Sequence, residues 1–286
     1  MVRLGVIGGS GLYDIDGLDD VEEYIVETAW GSPSGPIISG RHGELELLFL
    51  PRHGVGHVLN PSEVPYRANV AAMRKLGATH LLAVSAVGSL DERLPPKSLV
   101  CPDQIVDRTV GRPRTFFDQG VVGHVGLADP FDAELRHLLI DAATTVGSAV
   151  SDGGAYVCIE GPQFSTRAES HLFRSGGASV IGMTAMPEAR LAREIGLPYA
   201  MLAMVTDFDV WHESSEPVTV EMVIANLHSN TAAALRILAA FDSLVDRLAA
   251  IHPASDPAAA IVTRPDLISA DARRRLADIG IDLDAR

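Results

Sequence analysis

Two carboxylates stand two residues apart directly after an apolar segment, at the point where a strand is predicted to end. Asp207 and Asp209 follow residues 199–205, whose continuous apolar run predicts a buried strand. Side chains two positions apart share one face of a strand, and ligands of open α/β sheets bind beyond the carboxyl ends of the strands. Two acids at such a place can hold a proton for a ring nitrogen or accept hydrogen bonds from an exocyclic amine. A pocket for adenine is one good explanation of the pair.

A glycine-rich turn, Gly8-Gly9-Ser10-Gly11, follows the first predicted strand. Glycines let the backbone approach a ligand, and successive backbone N–H groups, with the Ser10 hydroxyl, can surround an anion. A dinucleotide-binding loop is a second interpretation, although Asp14 occupies the position of its third glycine. A purely structural turn is a third. No Gly-Lys-Ser/Thr follows, which disfavours a Walker phosphate loop.

Two further segments carry possible anion-binding groups after predicted strands. Arg52 offers paired donors that suit a phosphate oxyanion, and His53 can add another donor. Residues 85–89 (Ser-Ala-Val-Gly-Ser) bring a hydroxyl and backbone N–H groups after the apolar run 80–84. A solvated charged loop and a small-residue turn explain these segments as well. The absence of a Gly-x-Ser-x-Gly motif around Ser85 disfavours a serine hydrolase.

Two strand-to-helix junctions supply side chains that suit a sugar or a base. Phe164 can stack on a planar ring, and either Ser165 or Thr166 can cap the helix that follows. After another predicted strand, Met183 offers an adaptable apolar surface and Thr184 a hydroxyl. Helix capping and core filling explain the same residues without a ligand.

The ten histidines show no metal-ligand spacing, so we expect no metal site.

Composition narrows the class of protein. The chain has 286 residues, 47% of them apolar, and its net charge of −14 disfavours nucleic acid or an anionic membrane as a partner. No apolar run approaches the roughly 18 residues of a membrane span. We see no signal-peptide pattern, and only Cys101 and Cys158 occur, which fits a reduced compartment. We therefore expect a cytoplasmic globular protein.

Short apolar strands alternate with helix-like stretches, which predicts a largely parallel sheet covered by helices. The predicted strands cover 3–8, 46–50, 79–84, 154–159, 179–182 and 199–206. The predicted helices cover 63–77, 131–146, 168–176, 187–195 and 218–250. Residues 1–251 would form one domain, and 252–286 a linker with a short helix over 269–279 capped by Ser269.

Taken together, these segments resemble the trimeric purine nucleoside phosphorylase family over residues 3–245. The most specific matches are Arg52-His53-Gly54, Ile159-Glu160-Gly161-Pro162, Phe164-Ser165-Thr166-Arg167-Ala168-Glu169-Ser170 and Thr206-Asp207-Phe208-Asp209. Further matches lie at 8–12, 66–69, 87–90, 104–109, 183–184 and 187–188. The tail beyond residue 252 has no counterpart that we can place.

The resemblance implies a single α/β domain with a mixed, barrel-like central sheet, assembled as a homotrimer or a dimer of trimers. It implies reversible phosphorolysis, in which phosphate displaces the purine of a nucleoside without a metal or organic cofactor. The resemblance further implies that the substrate is S-methyl-5′-thioadenosine and that the products are adenine and 5-methylthioribose 1-phosphate, in purine and methionine salvage.

The resemblance also implies roles for individual residues. The phosphate would be held by Ser10, Arg52, His53, Ser85, Ala86 and Thr184. Asp207 and Asp209 would contact N7 and the 6-amino edge of the purine. The remaining substrate contacts would be Phe164, Ser165 and Met183, an apolar 5′ pocket of Val220, Val223 and Ile224, and His124 from a neighbouring subunit.

Base choice depends on Asp207. Relatives that act on 6-oxopurines carry Asn at this position, so the two acids here favour adenine. A 6-oxopurine nucleoside or methylthioinosine phosphorylase is the alternative within the family. An oxidoreductase with a nucleotide cofactor, or a nucleotide-binding regulator, is the alternative from another class.

Overall fold

Eleven strands among the described residues form one mixed sheet, and helices cover it. The computed structural model describes residues 2–9, 12, 17–212, 220–254 and 256–283, and for 220–229 only the backbone. The strands are β1 Arg3–Gly8, β2 Asp19–Tyr24, β3 Ile37–His42, β4 Leu45–Pro51, β5 His80–Ser89, β6 Leu99–Cys101, β7 Gln104–Arg108, β8 Val150–Asp152, β9 Ala155–Ile159, β10 Ala178–Gly182 and β11 Tyr199–Asp207. The helices are α1 Tyr66–Lys75, α2 Ala133–Thr145, α3 Arg167–Ser175, α4 Ala185–Glu194, α5 Val220–Ala240, α6 Val245–Ala249 and α7 Ala270–Asp278.

Strand β5 is the centre of the sheet. Its first half pairs in parallel with β1, its last residues pair with β10 in antiparallel fashion, and β11 runs parallel along it. The main path of the sheet is β2-β3-β4-β1-β5-β10-β9-β7, while β11 continues through β6 to β8. The predicted α/β class with a mixed central sheet flanked by helices is confirmed.

The apolar strands are buried on both faces. Along β11, Tyr199 and Met201 belong to one core cluster, whereas Ala200 and Leu202 belong to the other. The first cluster also contains apolar residues of α1 and α4, and the second contains residues of α2 and α5. Because successive side chains of a strand point to opposite faces, a continuous apolar run is what a strand between two helical layers requires.

Some elements differ from the predictions. Strand β5 extends to Ser89, so residues 85–89 belong to the strand and do not form the turn that small residues suggested. The predicted helix over 218–250 ends at Ala240, and a 3₁₀ turn separates it from α6. Strand β2 was not predicted, because all six of its residues are exposed and show no apolar alternation.

The C-terminal segment packs on the rest of the chain. Ile261, Leu276 and Ile279 are buried in the first core cluster. Ser269 caps α7 by accepting from the Ala272 N–H, as predicted. A β-bridge joins Ile261 to Gly123. Within the described residues, no helix combines the length and apolar character needed to cross a bilayer.

Candidate active site

A cavity of about 620 Å³ opens where several strands end. Residues after β1, β4, β9, β10 and β11 meet there with the second half of β5, so segments far apart in the sequence share one pocket. Its size is that of a small-molecule site. The predicted residues that line it are Arg52, His53, Ser85, Ala86, Phe164, Ser165, Met183, Thr184, Asp207 and Asp209.

Asp207 is the last residue of β11 and is only 7% exposed. One carboxylate oxygen accepts the Asp209 N–H at 2.8 Å, and the other accepts the Thr206 hydroxyl at 2.7 Å. Burial raises the pKa of this carboxyl, and the two hydrogen bonds oppose the shift. Gly88 makes room for it, because a Cβ on Gly88 would lie 3.1 Å from Oδ1 of Asp207. A buried acid of this kind can keep a proton and donate it.

Asp209 reaches the same cavity by a different route from the one predicted. It lies beyond β11, in the 3₁₀ turn Asp209–Trp211, with a φ of 51°. A turn, and not the alternation of a strand, therefore brings the two acids together. Its carboxylate accepts the hydroxyl of the fully buried Ser170 at 2.5 Å. Burial raises the pKa of Asp209, and the neighbouring Asp207 charge adds to the shift.

Arg52 is held by a buried carboxylate. Its Nε and Nη2 donate to the two oxygens of Glu188 at 2.9 and 3.0 Å. Nη2 also donates to the Ile7 carbonyl at 2.8 Å, and Nη1 donates to the Val84 carbonyl at 3.1 Å. A guanidinium has five N–H groups, so one Nη1 N–H is left without a partner among the described residues. The paired donors expected for phosphate are directed to Glu188, which leaves Arg52 one donor for a ligand.

Two hydroxyls face each other near this arginine. Oγ of Ser85 and Oγ1 of Thr184 are 2.9 Å apart, and both residues are buried. Thr184 precedes α4, but its side chain does not cap that helix. In this pair one hydroxyl donates to the other, and the Ser85 hydroxyl also has the Ala86 carbonyl oxygen as an acceptor at 3.3 Å. Either proton can serve an anion in the cavity by turning away from its protein acceptor. Ala86 lines the same wall.

The ring of His53 is anchored to its own loop. Nδ1 lies 3.0 Å from the carbonyl oxygen of Leu59, and the Leu59 N–H donates to the carbonyl of His53 at 3.0 Å. The ring stacks on that of His57, with centroids 4.4 Å apart. Burial, together with the nearby Arg52 charge, lowers the pKa of His53 to about 4. The imidazole is therefore neutral at physiological pH.

The side of the cavity beside α3 carries an aromatic ring and a hydroxyl. Phe164 is 49% exposed, so its ring has a free surface in the described chain. Thr166 caps α3 in a capping box with Glu169. The hydroxyl of Ser165 is buried and has no partner among the described residues, so it can serve a ligand. Met183 packs on Gly161, where a Cβ would lie 2.5 Å from its sulfur.

Of the other predicted residues, only His124 has a described side chain, and it does not line the cavity. His124 is exposed, and its backbone N–H donates to the Ala260 carbonyl at 2.9 Å. Val220, Val223 and Ile224 lie on α5, in the part for which only the backbone is described. Ser10 lies outside the described residues.

Three residues hold the side chains or loops of the site in place, although the sequence indicated no role for them. Glu188 holds Arg52, and Ser170 holds Asp209. Arg112 is buried and donates to the carbonyls of Met183 at 2.7 Å and Glu160 at 2.6 Å, so it joins two loops of the cavity. The only available signal was that Glu188 and Ser170 fall inside matched segments. Their partners are distant in the sequence, and no local pattern points to them.

In the part of the chain that the structure describes, no three histidine, cysteine, aspartate or glutamate side chains are grouped so as to hold a metal ion. The polar groups that line the cavity include two carboxyls with raised pKa values, five hydroxyls, the guanidinium of Arg52 and the imidazoles of His53 and His57.

Comparison with known proteins places the chain in a family. The model of the phosphorylase superfamily matches residues 3–242. The chain is 48% identical over 274 residues to S-methyl-5′-thioadenosine phosphorylase of Geobacter sulfurreducens, covering 96% of both chains. It is 50% identical over 278 residues to the protein of the same name from Chloroflexus aurantiacus, again covering 96% of both.

Solved structures agree. A methylthioadenosine phosphorylase from an antarctic soil metagenomic library superposes with a TM-score of 0.92 at 44% identity, covering 97% of this chain and 98% of that one. A variant of the adenosine/methylthioadenosine phosphorylase of Schistosoma mansoni, in complex with methylthioadenosine, has a TM-score of 0.80 at 38% identity. That match covers 86% of this chain and 92% of the other.

Proposed function

This chain belongs to the phosphorylase superfamily, and we propose that it catalyses the reversible phosphorolysis of S-methyl-5′-thioadenosine to adenine and 5-methylthioribose 1-phosphate. It is then a pentosyltransferase of the purine nucleoside phosphorylase type. The observation that carries the proposal is that one cavity holds two buried acids together with a group of anion-binding donors. The names of relatives that share about half of its residues point to the same reaction.

The acid pair serves the leaving group. When the C1′–N9 bond breaks, its electrons stay on the purine, which gathers negative charge. A proton delivered near N7 neutralises that charge, and such general-acid catalysis contributes about 10²–10⁴-fold. Asp207 can make this donation because burial favours its protonated form. Asp209 then accepts from the 6-amino group of adenine.

The base pocket is completed beside the acids. Ser165 offers a buried hydroxyl that has no partner among the described residues, and Phe164 offers a ring face for stacking. A 6-oxopurine would place its carbonyl oxygen against carboxyl groups, which is unfavourable unless a proton lies between them. The site therefore favours adenine over hypoxanthine.

The opposite wall serves phosphate. The hydroxyls of Ser85 and Thr184 and the remaining N–H of Arg52 can donate to its oxygens, with His53 and the backbone at Ala86 beside them. These groups position the nucleophile and oppose its charge, and fixed donors of this kind need little rearrangement during reaction. We include Ser10 in this group because it belongs to the segment Gly8-Gly9-Ser10-Gly11, which matches the family sequence.

The thioribose lies between the two walls. Met183 would pack beneath it, and Val220, Val223 and Ile224 would surround the methylthio group. We propose that His124 of a neighbouring subunit completes this 5′ pocket in a homotrimer or a dimer of trimers. The exposure of His124 in the single chain supports a role outside its own cavity.

We propose that the enzyme needs no metal or organic cofactor, with phosphate as co-substrate, and that it works in the cytoplasm in purine and methionine salvage. Cys101 and Cys158 are both unpaired and buried, which suits a reducing compartment.

The test is turnover of methylthioadenosine and methylthioinosine side by side, with and without phosphate. We expect rapid release of adenine that depends on phosphate, and little hypoxanthine. Equal turnover in phosphate-free buffer would exclude phosphorolysis. Preferential release of hypoxanthine would retain phosphorolysis and refute the role given to the two acids in base selection.

A further inference from the structure

His53 lines the cavity, and the protonation of its Nε2 is set by its other ring nitrogen, Nδ1. Nδ1 lies 3.0 Å from the carbonyl oxygen of Leu59. A carbonyl oxygen can only accept, so Nδ1 must carry the hydrogen of this bond. The second backbone bond between the same two residues, also 3.0 Å long, closes the loop and fixes the ring in place.

A second proton on this ring is disfavoured by its surroundings. The imidazole is largely buried, and the charges of Arg52 and Arg112 and the stacked ring of His57 all oppose protonation. A neutral imidazole with its hydrogen on Nδ1 has a bare Nε2, which is a hydrogen-bond acceptor. The donor that we expected from the sequence is thus replaced by an acceptor.

An acceptor is unusual in a pocket for an anion, because anion oxygens are themselves acceptors. The other groups of this wall, Ser85, Thr184 and Arg52, can all donate. Hydrogen phosphate, HPO₄²⁻, has one oxygen that carries a proton and three that do not. Sulfate has the same shape and charge but no proton.

We propose that Nε2 of His53 accepts the hydrogen of HPO₄²⁻ and thereby makes the site select hydrogen phosphate over sulfate. This inference rests on the proposed function, since it concerns the phosphate wall of that site. The hydrogen bond to Nε2 also orients the nucleophile. It holds the protonated oxygen at His53, so that the three unprotonated oxygens face the donors and the reacting carbon. A site selects a ligand partly by leaving its competitor's groups unpaired, and sulfate would set an oxygen lone pair against Nε2.

The experiment measures the dissociation constants of phosphate and of sulfate separately by calorimetry, on the full-length protein in mildly alkaline buffer. We expect the wild type to bind phosphate about tenfold more tightly than sulfate. A tenfold ratio of dissociation constants corresponds to the net contribution of one hydrogen bond. In His53→Ala, phosphate should bind about tenfold more weakly, and sulfate should bind as tightly as in the wild type or more tightly. The ratio of the two dissociation constants should then be close to one. Exposed His137 on α2 provides the control, and His137→Ala should keep the wild-type ratio.

Two outcomes would overturn the inference. One is a wild-type protein that binds both anions equally. The other is a His53→Ala variant that binds both anions more weakly by the same factor, which is the result expected for the loss of a donor. His53→Gln serves as a second variant if the alanine variant fails to fold, and it should also lower the ratio because its amide can donate to sulfate.

A spectroscopic measurement addresses the tautomer directly. In protein labelled with ¹⁵N-histidine, with His53→Gln used for assignment, we expect the proton on Nδ1, and we expect the Nε2 signal to move when inorganic phosphate is added. A proton on Nε2, in the free or the phosphate-bound state, would overturn the inference. Phosphate-dependent turnover with an anion ratio of one refutes this inference alone, whereas the absence of phosphate-dependent turnover refutes the proposed function.

Discussion

The guanidinium of Arg52 and the carboxylate of Glu188 form a two-pronged pair, with N···O distances of 2.9 and 3.0 Å, and neither side chain is more than 2% exposed. The Tyr199 hydroxyl donates to the same carboxylate at 3.0 Å. The pair is neutral as a unit, so the phosphate wall has less net positive charge than a free arginine would give it. Removing either partner would leave a buried, uncompensated charge.

Glu188→Ala should therefore destabilise the fold by about 3–5 kcal/mol, the usual effect of breaking a buried pair. The measurement is the free energy of unfolding in urea. Glu92→Ala is the matched control, because Glu92 is 69% exposed in its pair with Arg174 and its loss should change stability by less than about 1 kcal/mol. Similar losses in the two variants would show that the Arg52 pair contributes nothing specific.

Asp207→Asn should lower kcat/KM for methylthioadenosine by about 10²–10⁴-fold, because an amide cannot supply the proton that the leaving purine needs. It should also favour oxopurines relative to adenine nucleosides, since an amide can donate to N7 and tolerates an oxygen at position 6. Steady-state kinetics on methylthioadenosine and methylthioinosine measures both effects. Equal losses on the two substrates would count against base selection by Asp207.

Ser170→Ala removes the 2.5 Å hydrogen bond that holds Asp209. We expect about tenfold lower kcat/KM for methylthioadenosine, because the carboxylate loses its orientation, and a pKa of Asp209 raised further, because that bond lowers it. The pH profile of kcat/KM should shift accordingly. Ser175→Ala, on the exposed side of the same helix, should have neither effect. If Ser170→Ala matches this control, Ser170 does not position Asp209.

The stability of the protein should depend on the protonation of His53. Its pKa is lowered from 6.5 to about 4 in the folded state, so the unfolded chain binds the proton more readily. The contribution of the neutral ring is complete above pH 6.5 and is lost as the pH falls through about 4. His53→Gln should therefore lose less stability than the wild type between these pH values, as urea unfolding at each pH would reveal. Parallel curves for the two proteins would contradict this.

Much of the site was predictable because it depends on local sequence. The apolar run before Asp207 predicts a buried strand, and an acid at its end must lie at the edge of the sheet where ligands bind. The fold class was predictable as well, because the spacing of apolar residues shows which residues of each strand and helix are buried. The alternation of such strands and helices is typical of an α/β fold. Strand β2 escaped prediction because its exposed residues carry no such periodicity.

The amino-acid sequence alone predicted most of the chemical groups that line the cavity: two acids, several hydroxyls, an arginine and a histidine. How each of these groups is held depends on the three-dimensional packing. It directs the paired donors of Arg52 to Glu188, 136 positions away in the chain, and it holds Asp209 by Ser170, 39 positions away. It also places the Leu59 carbonyl against Nδ1 of His53, which turns an expected donor into an acceptor. The physical reason is that a buried polar group without a hydrogen-bond partner costs free energy, so each such group must be paired. Its partner is the group that packing brings near it in space, which need not be near it in the sequence.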